Sequence, residues 1–384
     1  MGSVSREVKR RAKTGSKLPV YAVTKHSGFV PSLEYFKKQV FSRDTKGYKE
    51  IHKNEIAYAT IHLDEGSIGI GPEDCIISPM YTGFEVDTNE VLPEYLVRFL
   101  KSPEALATYE LLGNGSVHRR KAISFSRLAT LSVPLPSLPE QRRIADILDK
   151  ADAIRRKRQE SIALTEDFLR SAFHNMFGDP VKNPKGWDSC RLDSLTSEMR
   201  YGTSKKCALT EIEGSRPVLR IPNIKNGGIN WVDLKYTTLE QAEANRVLLQ
   251  QDDLLFVRTN GNPDHIGRCA VFDDKREALF ASYLIRARLT PGSPTSSQFI
   301  QSVVSFPTFR SRLIREAKTT AGNYNINTRG LGGLEIITPP KPLQEDFLAL
   351  HDNARSAKRN FELHRKRAAE LFDSLSQCAY KGEL

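Results

Sequence analysis

Histidine, cysteine and acidic side chains carry most enzyme chemistry, and in this sequence they lack the spacings that such chemistry needs. The eight histidines form no HxxxH pair and no His/Cys cluster suited to zinc. The cysteines are dispersed without a CxxC pair, which is typical of a reducing compartment; they are Cys75, Cys190, Cys207, Cys269 and Cys378. The sequence therefore predicts no metal site and no catalytic residue.

Sequence motifs for methyl transfer, nucleotide hydrolysis and DNA cleavage are also missing. A methyltransferase would need an (N/D)-P-P-(F/Y) motif and a glycine-rich loop for its methyl donor, and neither occurs. A nucleotide-driven motor would need the GxxxxGK[ST] phosphate cradle, which is absent as well. Asp264 and Glu316 could be imagined as a nuclease pair, but they are far apart, and Glu316 falls in a helical pattern where Glu-x-Lys is common.

The net charge of +11 and the isoelectric point near 9.3 favour a polyanionic partner. The basic excess is spread over both globular parts of the chain rather than held in a tail. Reading base edges needs paired donors and acceptors, chiefly on Arg and Asn, whereas phosphate contacts need Lys, Arg and small hydroxyls. Polar segments with these residues occur at 24–27, 116–121, 258–262 and 319–329.

The chain contains two divergent copies of one unit, and each copy carries two of these segments. The strand-like segments 19–23 and 54–58 are matched by 217–221 and 252–256. At 384 residues, two similar halves are the better estimate of the domain count. A shift of 203 residues superposes Pro136, Pro139, Gln141, Asp149, Ala151, Arg156 and Ser171 on Pro339, Pro342, Gln344, Asp352, Ala354, Arg359 and Ser374.

Each globular half ends at a proline-rich stop that is followed by a long charged segment. Residues 138–177 contain no glycine, which predicts a single uninterrupted helix. The first half lacks the Trp-led segment with which the second opens, so we expect the edge at 1–18 to be flexible or truncated. We predict globular domains at 1–135 and 181–338, and long helices at 136–180 and 339–384.

The second long segment repeats apolar residues at alternating steps of three and four, which predicts a coiled-coil seam. This seam is Phe347, Leu350, Ala354, Ala357, Phe361, His364, Ala368, Leu371, Leu375 and Cys378. If the halves are related by a pseudo-two-fold axis, the helices pair antiparallel; a buried helical hairpin and a homodimeric coiled coil are the alternatives. The equivalent positions in the first helix are Ile144, Ile147, Ala151, Ile154, Arg158, Ser161, Thr165, Phe168, Ala172 and Asn175.

These segments resemble a known family. LPSLPEQRRIADILDKADAIRRKRQ and the following LRSAFHNMFGDP resemble the central region of the specificity (S) subunit of type I restriction-modification systems. The distal PPKPLQEDF and RKRAAELFDSLSQCAYKGEL resemble the C-terminal conserved region of that family. The first half, with VYAVTKHSGF, EIAYATIHLDEGSIG and ISPMYTGF, is similar to its target recognition domains.

The resemblance implies an α+β fold. Two pseudo-two-fold-related target recognition domains, with mixed or antiparallel sheets and helices, would be separated by an antiparallel coiled coil of two long helices. Each domain would read one half of a split double-stranded DNA site, and the coiled coil would set the unread spacer. Two modification subunits with adenine-N6 methyltransferase chemistry would dock on the chain, and restriction/motor subunits could join. The chain itself would be non-catalytic without a cofactor, and S-adenosylmethionine and ATP would belong to the partner subunits.

The predicted binding residues follow from the polar segments and from the repeat. Asn also favours turns, so a turn or solvated role is the alternative for each single residue. Two equivalent partners need two equivalent docking sites, which we place at Gln141, Arg142, Arg143, Gln344 and Phe347. The predicted DNA-binding residues are Lys25, His26, Ser27, His118, Arg119, Arg120, Lys121, Arg258, Asn260, Asn262, Lys318, Asn323, Tyr324, Asn325, Asn327 and Arg329.

The sequence also bears on the compartment of the protein. No apolar run approaches the roughly 20 residues of a membrane span, and the basic N-terminus lacks the apolar core of a signal peptide. We therefore expect a cytoplasmic protein without a membrane partner. The alternative function is a coiled-coil protein-interaction adaptor with non-specific DNA affinity, which would bind DNA weakly and without sequence preference.

Overall fold

The computed structural model describes residues 1–13, 15–36, 41–42, 44–113, 122–225, 227–320 and 322–384. The chain divides into two compact units. The first consists of residues 1–162 and 360–384, and the second of residues 163–359. Each unit contains one globular domain and a part of each of two long helices. Among the described helices, none is long and apolar enough to cross a membrane.

The domain of the first unit is built on β-sheets. One sheet is antiparallel with the strand order β1-β8-β5-β6, and another has the order β3-β2-β7-β4 with β2 parallel to β7. The strands are β1 (Ser5–Val8), β2 (Val20–Thr24), β3 (Gly28–Pro31), β4 (Lys49–Ile51), β5 (Ile56–Ala59), β6 (Ile68–Ile70), β7 (Cys75–Ile77) and β8 (Tyr81–Val86). The helices are α1 (Ser32–Tyr35), α2 (Pro93–Leu100), α3 (Pro103–Leu112), α4 (Phe125–Leu128) and α5 (Leu138–Phe177), which continues into the second unit.

The domain of the second unit has the same kind of architecture with additional short strands. Its sheets have the orders β10-β19-β15-β17, β14-β11-β18, β12-β13, β16-β21-β20 and β22-β9. The strands are β9 (Ser189–Arg191), β10 (Thr196–Tyr201), β11 (Arg216–Leu219), β12 (Ile224–Lys225), β13 (Gly228–Ile229), β14 (Lys235–Thr237), β15 (Leu254–Val257), β16 (Thr259–Asn260), β17 (Cys269–Val271), β18 (Leu279–Phe280), β19 (Leu284–Leu289), β20 (Lys318–Thr320), β21 (Asn323–Asn325) and β22 (Glu335–Ile337). The helices are α6 (Leu192–Leu195), α7 (Gln241–Val247), α8 (Ser297–Ser305), α9 (Pro307–Glu316), α10 (Thr328–Gly332) and α11 (Lys341–Lys381), which continues into the first unit.

The two domains share one topology, as the sequence repeat predicts. The order β10-β19-β15-β17 matches β1-β8-β5-β6. The register matches as well, because Leu254 lies opposite Ala287 where Ile56 lies opposite Phe84. The parallel pair β11–β18 likewise corresponds to β2–β7. The predicted α+β class, with mixed and antiparallel sheets, is confirmed.

A proline begins the second helix of each short helix pair. Pro103 is the first residue of α3, and Pro307 is the first residue of α9. The first helical residues have no intrahelical acceptor for their amide, so a proline there removes no hydrogen bond. Ser102 caps α3 by accepting a hydrogen bond from the amide of Ala105 at 3.2 Å. A proline therefore separates the two short helices at the same place in both copies.

Helices α5 and α11 are long and uninterrupted, as the glycine-free segments predict. They contain 40 and 41 residues, and at 1.5 Å per residue each is about 60 Å long. Each is followed by a glycine in the left-handed region, with a φ of +80° at Gly178 and +75° at Gly382. This conformation ends a helix and is accessible to glycine without steric cost.

The long helices pack antiparallel, which is visible inside each unit. In the first unit the start of α5 meets the end of α11, where Nη2 of Arg143 donates to the carbonyl oxygen of Leu384 at 2.6 Å. In the second unit the end of α5 meets the start of α11, where the ring centres of Phe173 and Phe347 lie 5.4 Å apart. The predicted antiparallel pairing is confirmed.

One row of the predicted helix seam is buried or half-buried throughout, and the other is so only in part. The row Ile144, Ala151, Arg158, Thr165, Ala172 and its copy Phe347, Ala354, Phe361, Ala368, Leu375 is buried or half-buried. The prediction places the second row three residues further along, where Ile147, Ser161, Ala357 and Cys378 are half-buried. The other residues of that row are exposed: Ile154, Phe168, Asn175, Leu350, His364 and Leu371. A residue four positions after a member of the first row points about 100° away from one three positions after it. Most residues at the four-residue step are buried or half-buried: Leu148, Ile162, Leu169, Met176, His351, Lys358, Phe372 and Ala379.

Candidate nucleic-acid interface

Two polar loops that are far apart in the sequence of the second domain meet in one small sheet. Strand β16 pairs with β21, and β21 pairs with β20. Asn260 lies opposite Tyr324, and Lys318 lies opposite Asn325. The sheet therefore brings predicted DNA-binding residues from both loops together in one surface element.

Arg258, which precedes this sheet, is held by Tyr201, a residue that the sequence analysis does not assign. The guanidinium carbon lies 4.3 Å from the centre of the Tyr201 ring, a distance at which an aromatic face attracts a cation. Nη1 of Arg258 donates to the carbonyl of Ser282 at 3.4 Å. The amide of Thr328, at the start of α10, donates to the hydroxyl of Tyr201 at 3.2 Å. Tyr201 thus positions Arg258 next to the start of α10.

Three of the predicted asparagines use their side-chain oxygen to shape the backbone. Oδ1 of Asn260 accepts from the amide of Asn262 at 2.9 Å, and Oδ1 of Asn262 accepts from the amide of Asp264 at 2.9 Å. Oδ1 of Asn327 accepts from the amide of Gly330 at 2.8 Å and caps α10. An adenine contact uses both the oxygen and the nitrogen of the amide, so these bonds compete with base reading.

The other predicted residues of the second domain are available to a partner to different degrees. Lys318, Asn323 and Arg329 are exposed, whereas Tyr324 and Asn325 are half-buried. Nδ2 of Asn325 donates to the carbonyl of Asn323 at 3.2 Å. Exposed donors on this sheet are therefore supplied mainly by Lys318 and Asn323, and Arg329 supplies one on α10.

The first domain carries candidate residues on a hairpin turn between β2 and β3. Lys25, His26 and Ser27 are exposed. Thr24 closes the turn, because its hydroxyl accepts from the amide of Ser27 at 3.2 Å and donates to the carbonyl of Gly28 at 3.1 Å. The turn is therefore a fixed loop with a basic tip. Four further predicted residues lie outside the described part of the chain: His118, Arg119, Arg120 and Lys121.

A basic cluster on the first unit surrounds the buried carboxylate of Asp152. Arg155 and Arg156 bind this carboxylate at 2.6 and 2.8 Å, and Arg98 lies at 3.5 Å. Burial raises the pKa of Asp152, but the arginines outweigh burial and leave this pKa below its ordinary value. Burial, together with Arg98 and Arg156, lowers the pKa of Lys101 to about 8. Positive charge thus exceeds negative charge at this cluster.

Sequence reasoning misses Tyr201 and the role of Asp152. The signal for Tyr201 is a tyrosine at the end of a strand just before Gly202, where an aromatic face is free to accept a cation. The signal for the basic cluster is the Arg155–Arg158 run, in which every side chain is basic. The carboxylate at Asp152 precedes Arg155 and Arg156 by three and four residues, which is the spacing of helical ion pairs.

Gln141, a predicted docking residue, is fully buried inside the first unit. Its Nε2 donates to the carbonyls of Glu90 and Pro136, both at 2.9 Å. Its Oε1 accepts from the amide of Leu92 at 2.9 Å. The side chain joins the start of α5 to the segment before α2, so Gln141 itself offers a partner no surface.

Gln344 repeats this arrangement in the second unit, and Phe347 is buried one helical turn later. Nε2 of Gln344 donates to the carbonyls of Pro294 and Pro339 at 3.0 and 2.6 Å, and its Oε1 accepts from the hydroxyl of Thr295 at 3.0 Å. Gln344 and Phe347 are each 2% exposed. Both therefore stabilise their own unit and offer a partner almost no surface.

Arg142 and Arg143, the other predicted docking residues, are exposed. Nη2 of Arg143 binds Oε1 of Glu140 at 2.8 Å. In the second copy the equivalent residues are Glu345 and Asp346, which are also exposed. The two equivalent helix starts therefore present opposite charges.

Groups of three or more His, Cys, Asp or Glu side chains that could hold a metal ion are not found among the described residues. Burial raises the pKa of the Cys75 thiol to about 12 and raises that of Cys269 well above its ordinary value. A thiol is nucleophilic as the thiolate, so these two cysteines are unreactive near neutral pH.

Comparison with known families agrees with this architecture. The family model described as type I restriction modification DNA specificity domain matches residues 10–165. The chain is 26% identical over 372 residues to the type I restriction enzyme EcoKI specificity subunit of Escherichia coli (strain K12), covering 86% of this chain and 79% of that protein. It is 25% identical over 311 residues to the type I restriction enzyme StySPI specificity subunit of Salmonella potsdam, covering 77% of this chain and 66% of that protein.

Solved structures share the fold at low sequence identity. A chain from a structural study of complex assembly and conformational transition in the type I R-M system has a TM-score of 0.59 and 15% identity, covering 100% of this chain and 97% of that chain. The type I restriction-modification S subunit from M. genitalium has a TM-score of 0.58 and 12% identity, covering 99% and 94%. Together with the repeated domain and helix, the family model identifies residues 10–165 as a type I restriction modification DNA specificity domain, and the chain is similar over most of its length to specificity subunits of type I restriction-modification systems.

Proposed function

We propose that this chain reads a bipartite double-stranded DNA sequence, with one half-site for each globular domain. In this proposal it recruits two modification subunits with adenine-N6 methyltransferase activity, and restriction/motor subunits join the complex. As a specificity subunit the chain is the non-catalytic component, and S-adenosylmethionine and ATP are used by its partner subunits. We assign the target recognition domains to 1–135 and 181–338, and we place the complex in the cytoplasm.

The observation that carries this proposal is the sheet β16-β21-β20. It joins a loop with Arg258 and Asn260 to a hairpin with Lys318 and Asn323. Arg and Asn supply the paired donors and acceptors that read guanine and adenine, and Lys contacts phosphates. We propose direct base contact for Arg258 and Asn323. The asparagines that cap turns, Asn260, Asn262 and Asn327, set the backbone of the same surface.

In the first domain, we propose that the hairpin turn at Lys25, His26 and Ser27 contacts DNA together with the segment 118–121. The basic cluster around Asp152 adjoins this turn, because Nη2 of Arg156 donates to the carbonyl of His26 at 3.5 Å. Lysine and arginine near a DNA backbone supply the salt-sensitive part of the affinity. The cluster therefore favours phosphate contact beside the first half-site.

For the modification subunits, we propose docking on exposed apolar residues of the long helices. Phe168 and Leu371 are equivalent under the 203-residue shift, and they are 53% and 57% exposed. Large apolar side chains that stay exposed on a helix are typical of protein interfaces. Equivalent residues on two helices suit two equivalent partners, with Arg142 and Arg143 adding contacts at one end.

The proposal is tested by mapping methylated adenines genome-wide in cells that hold this chain and a modification subunit. The wild-type chain is expected to give a split motif. Replacing Arg258 by Met is expected to relax or abolish one half-site, at a cost of about 1–3 kcal/mol at the affected base pair, and to leave the other half-site unchanged. Arg246→Met removes the same charge from an exposed position on α7 and is the matched control.

Three results would count against the proposal. A contiguous motif would contradict the bipartite reading. A change in both half-sites, or the same change in Arg246→Met, would contradict the role of Arg258. The absence of any methylation motif would favour the alternative function, an adaptor with non-specific DNA affinity.

A further inference from the structure

An open cavity of about 540 Å³ lies in the second unit, between the long helices and the globular domain. This volume is typical of sites for small organic ligands. Among its described lining residues, Glu166 is the one carboxylate. The basic lining residues are Arg170, Lys225, Arg268, Arg310 and Lys358.

Part of this positive charge is already paired. Nζ of Lys358 binds Oε1 of Glu166 at 2.5 Å, and Nη1 of Arg170 lies 3.4 Å from Oδ1 of Asp167. The excess positive charge therefore comes from Lys225, Arg268 and Arg310.

Arg310 is the best-defined group of this site. Its Nη2 donates to the carbonyl of Asp264 at 3.1 Å, and Nε of Arg268 donates to the same carbonyl at 3.3 Å. Nη1 of Arg310 is buried and has no hydrogen-bond acceptor among the described residues. Burial and the neighbouring Arg268 lower the pKa of Arg310. A buried cation without a full set of acceptors is costly, and a bound anion would offset that cost.

The cavity lining is also aromatic. It includes Phe306, Phe173 and His351, and burial lowers the pKa of His351. Near neutral pH this imidazole is therefore uncharged and can donate one hydrogen bond. The cavity lining thus combines basic residues with aromatic ones.

The first unit does not repeat this charge pattern. If α9 and α3 are aligned at their first prolines, Arg310 corresponds to Leu106. Alignment of β17 with β6 places Ser67 at the position of Arg268, and the 203-residue shift places Asp373 at the position of Arg170. The shared fold therefore does not require these cations, and a ligand specific to the second unit would explain them.

We propose that this cavity binds a phosphoryl group, with Arg268 and Arg310 as its principal donors. Guanidinium groups match phosphate oxygens with two parallel hydrogen bonds. The phosphoryl group has two possible sources, a free organic or inorganic phosphate and the backbone of DNA. The proposal does not depend on base recognition by the β16-β21-β20 sheet.

Isothermal titration of the full chain with pyrophosphate, at constant ionic strength, tests the site. We expect saturable binding that Arg310→Met weakens roughly tenfold, the effect of losing a charge-assisted hydrogen bond. Arg315→Met removes the same charge from an exposed residue of α9 that does not line the cavity, and it should leave binding unchanged. If Arg310→Met also lowers the melting temperature, Arg268→Met provides a second test, because the Arg268 side chain is exposed. Arg268→Met should then weaken pyrophosphate binding in the same way.

Repeating the titration with a bound mixed-sequence DNA duplex distinguishes the two sources. Mutual exclusion of pyrophosphate and DNA would support a backbone phosphate, and simultaneous binding would support a small phosphate. Absence of saturable binding, or equal losses in Arg310→Met and Arg315→Met, would overturn the proposal. Half-site reading in the methylation map would be unaffected by that failure.

Discussion

At the scale of single residues, the chain places charged groups where neighbouring side chains fix them. Arg258 stacks on Tyr201, and Asp152 gathers three arginines. A side chain that is ordered before binding loses less freedom when it meets its target. We therefore expect Tyr201 to act as a positioning residue for Arg258. The positive charges close to Lys101 are expected to lower the stability of the folded protein.

Replacing Lys101 by Met is expected to raise the melting temperature at pH 7. Met keeps the apolar stem and removes a half-buried charge that lies near Arg98 and Arg156. The gain should correspond to about 1–3 kcal/mol in the free energy of unfolding. Thermal unfolding measures it, and Lys150→Met, at an exposed position of α5, is the control that should show little change.

The pH dependence of this gain has a definite sign. The pKa of Lys101 is about 8 in the folded protein and 10.5 for an ordinary lysine. As the pH rises through 8, the folded wild type releases this proton while the unfolded chain keeps it, so the wild type gains stability. The advantage of Lys101→Met should therefore shrink between about pH 8 and pH 10. An advantage that stays constant over that window would contradict the buried charge.

The sequence predicts the residue types of the interface, because Arg, Lys and Asn cluster in polar loops. It does not show which asparagine oxygens are taken by neighbouring amides, as at Asn262 and Asn327. The stacking of Arg258 on Tyr201 is also hidden, since it depends on strands that are brought together by the fold. Turn geometry determines which asparagine oxygens accept backbone hydrogen bonds, and long-range strand pairing determines the contact between Arg258 and Tyr201.

At the scale of elements, a repeated glutamine fixes the start of each long helix. Gln141 and Gln344 each satisfy two backbone carbonyls and accept one further hydrogen bond. A repeated polar residue is compatible with docking or with structure, and burial decides for structure here. Such a side chain is costly to remove, because its partners stay buried.

Gln141→Ala and Gln344→Ala are each expected to lower the free energy of unfolding by about 3 kcal/mol, since buried backbone groups lose their partners. Chemical denaturation measures both losses. Arg142→Ala, one residue after Gln141 but exposed, should change stability little. Similar small effects for all three variants would show that the buried hydrogen bonds contribute no stability.

The double variant Phe168→Ala with Leu371→Ala is expected to weaken assembly with modification subunits at least roughly tenfold, because it removes two exposed apolar contacts. Its melting temperature should stay near that of the wild type, since both side chains are solvent-exposed. Phe173→Ala removes a buried ring next to Phe347 and should cost about 3–5 kcal/mol of stability. Sedimentation of the mixed subunits measures assembly, and unaltered assembly of the double variant would rule out this docking surface.

The helix seam shows how much of helix packing can be predicted from the spacing of apolar residues. Apolar residues at Phe347, Ala354 and Phe361 fix one row correctly. The position of the second row is ambiguous in sequence, because residues three and four positions after a member of the first row both lie on nearly the same face of the helix. Polar side chains such as His351 and Lys358 occupy the buried step, and a search for apolar residues passes over them.

At the scale of the whole molecule, duplication is the organising feature. The sequence repeat predicts it, and the strand registers of the two domains confirm it. The duplication does not predict where the copies differ, because the residues at those positions are not needed for the shared fold. The charged cavity of the second unit and the opposite charges at Arg142 and Glu345 are such differences.

The central claim is that two domains read a split site and that the paired helices set its spacer. It is tested most directly by deleting one heptad from each long helix, residues 157–163 and 360–366, and mapping methylated adenines. Seven residues correspond to about 10 Å of helix, or about three base pairs of DNA. Both half-sites are expected to stay unchanged, and the spacer is expected to shorten by about three base pairs. An unchanged spacer, or altered half-sites, would contradict the central claim.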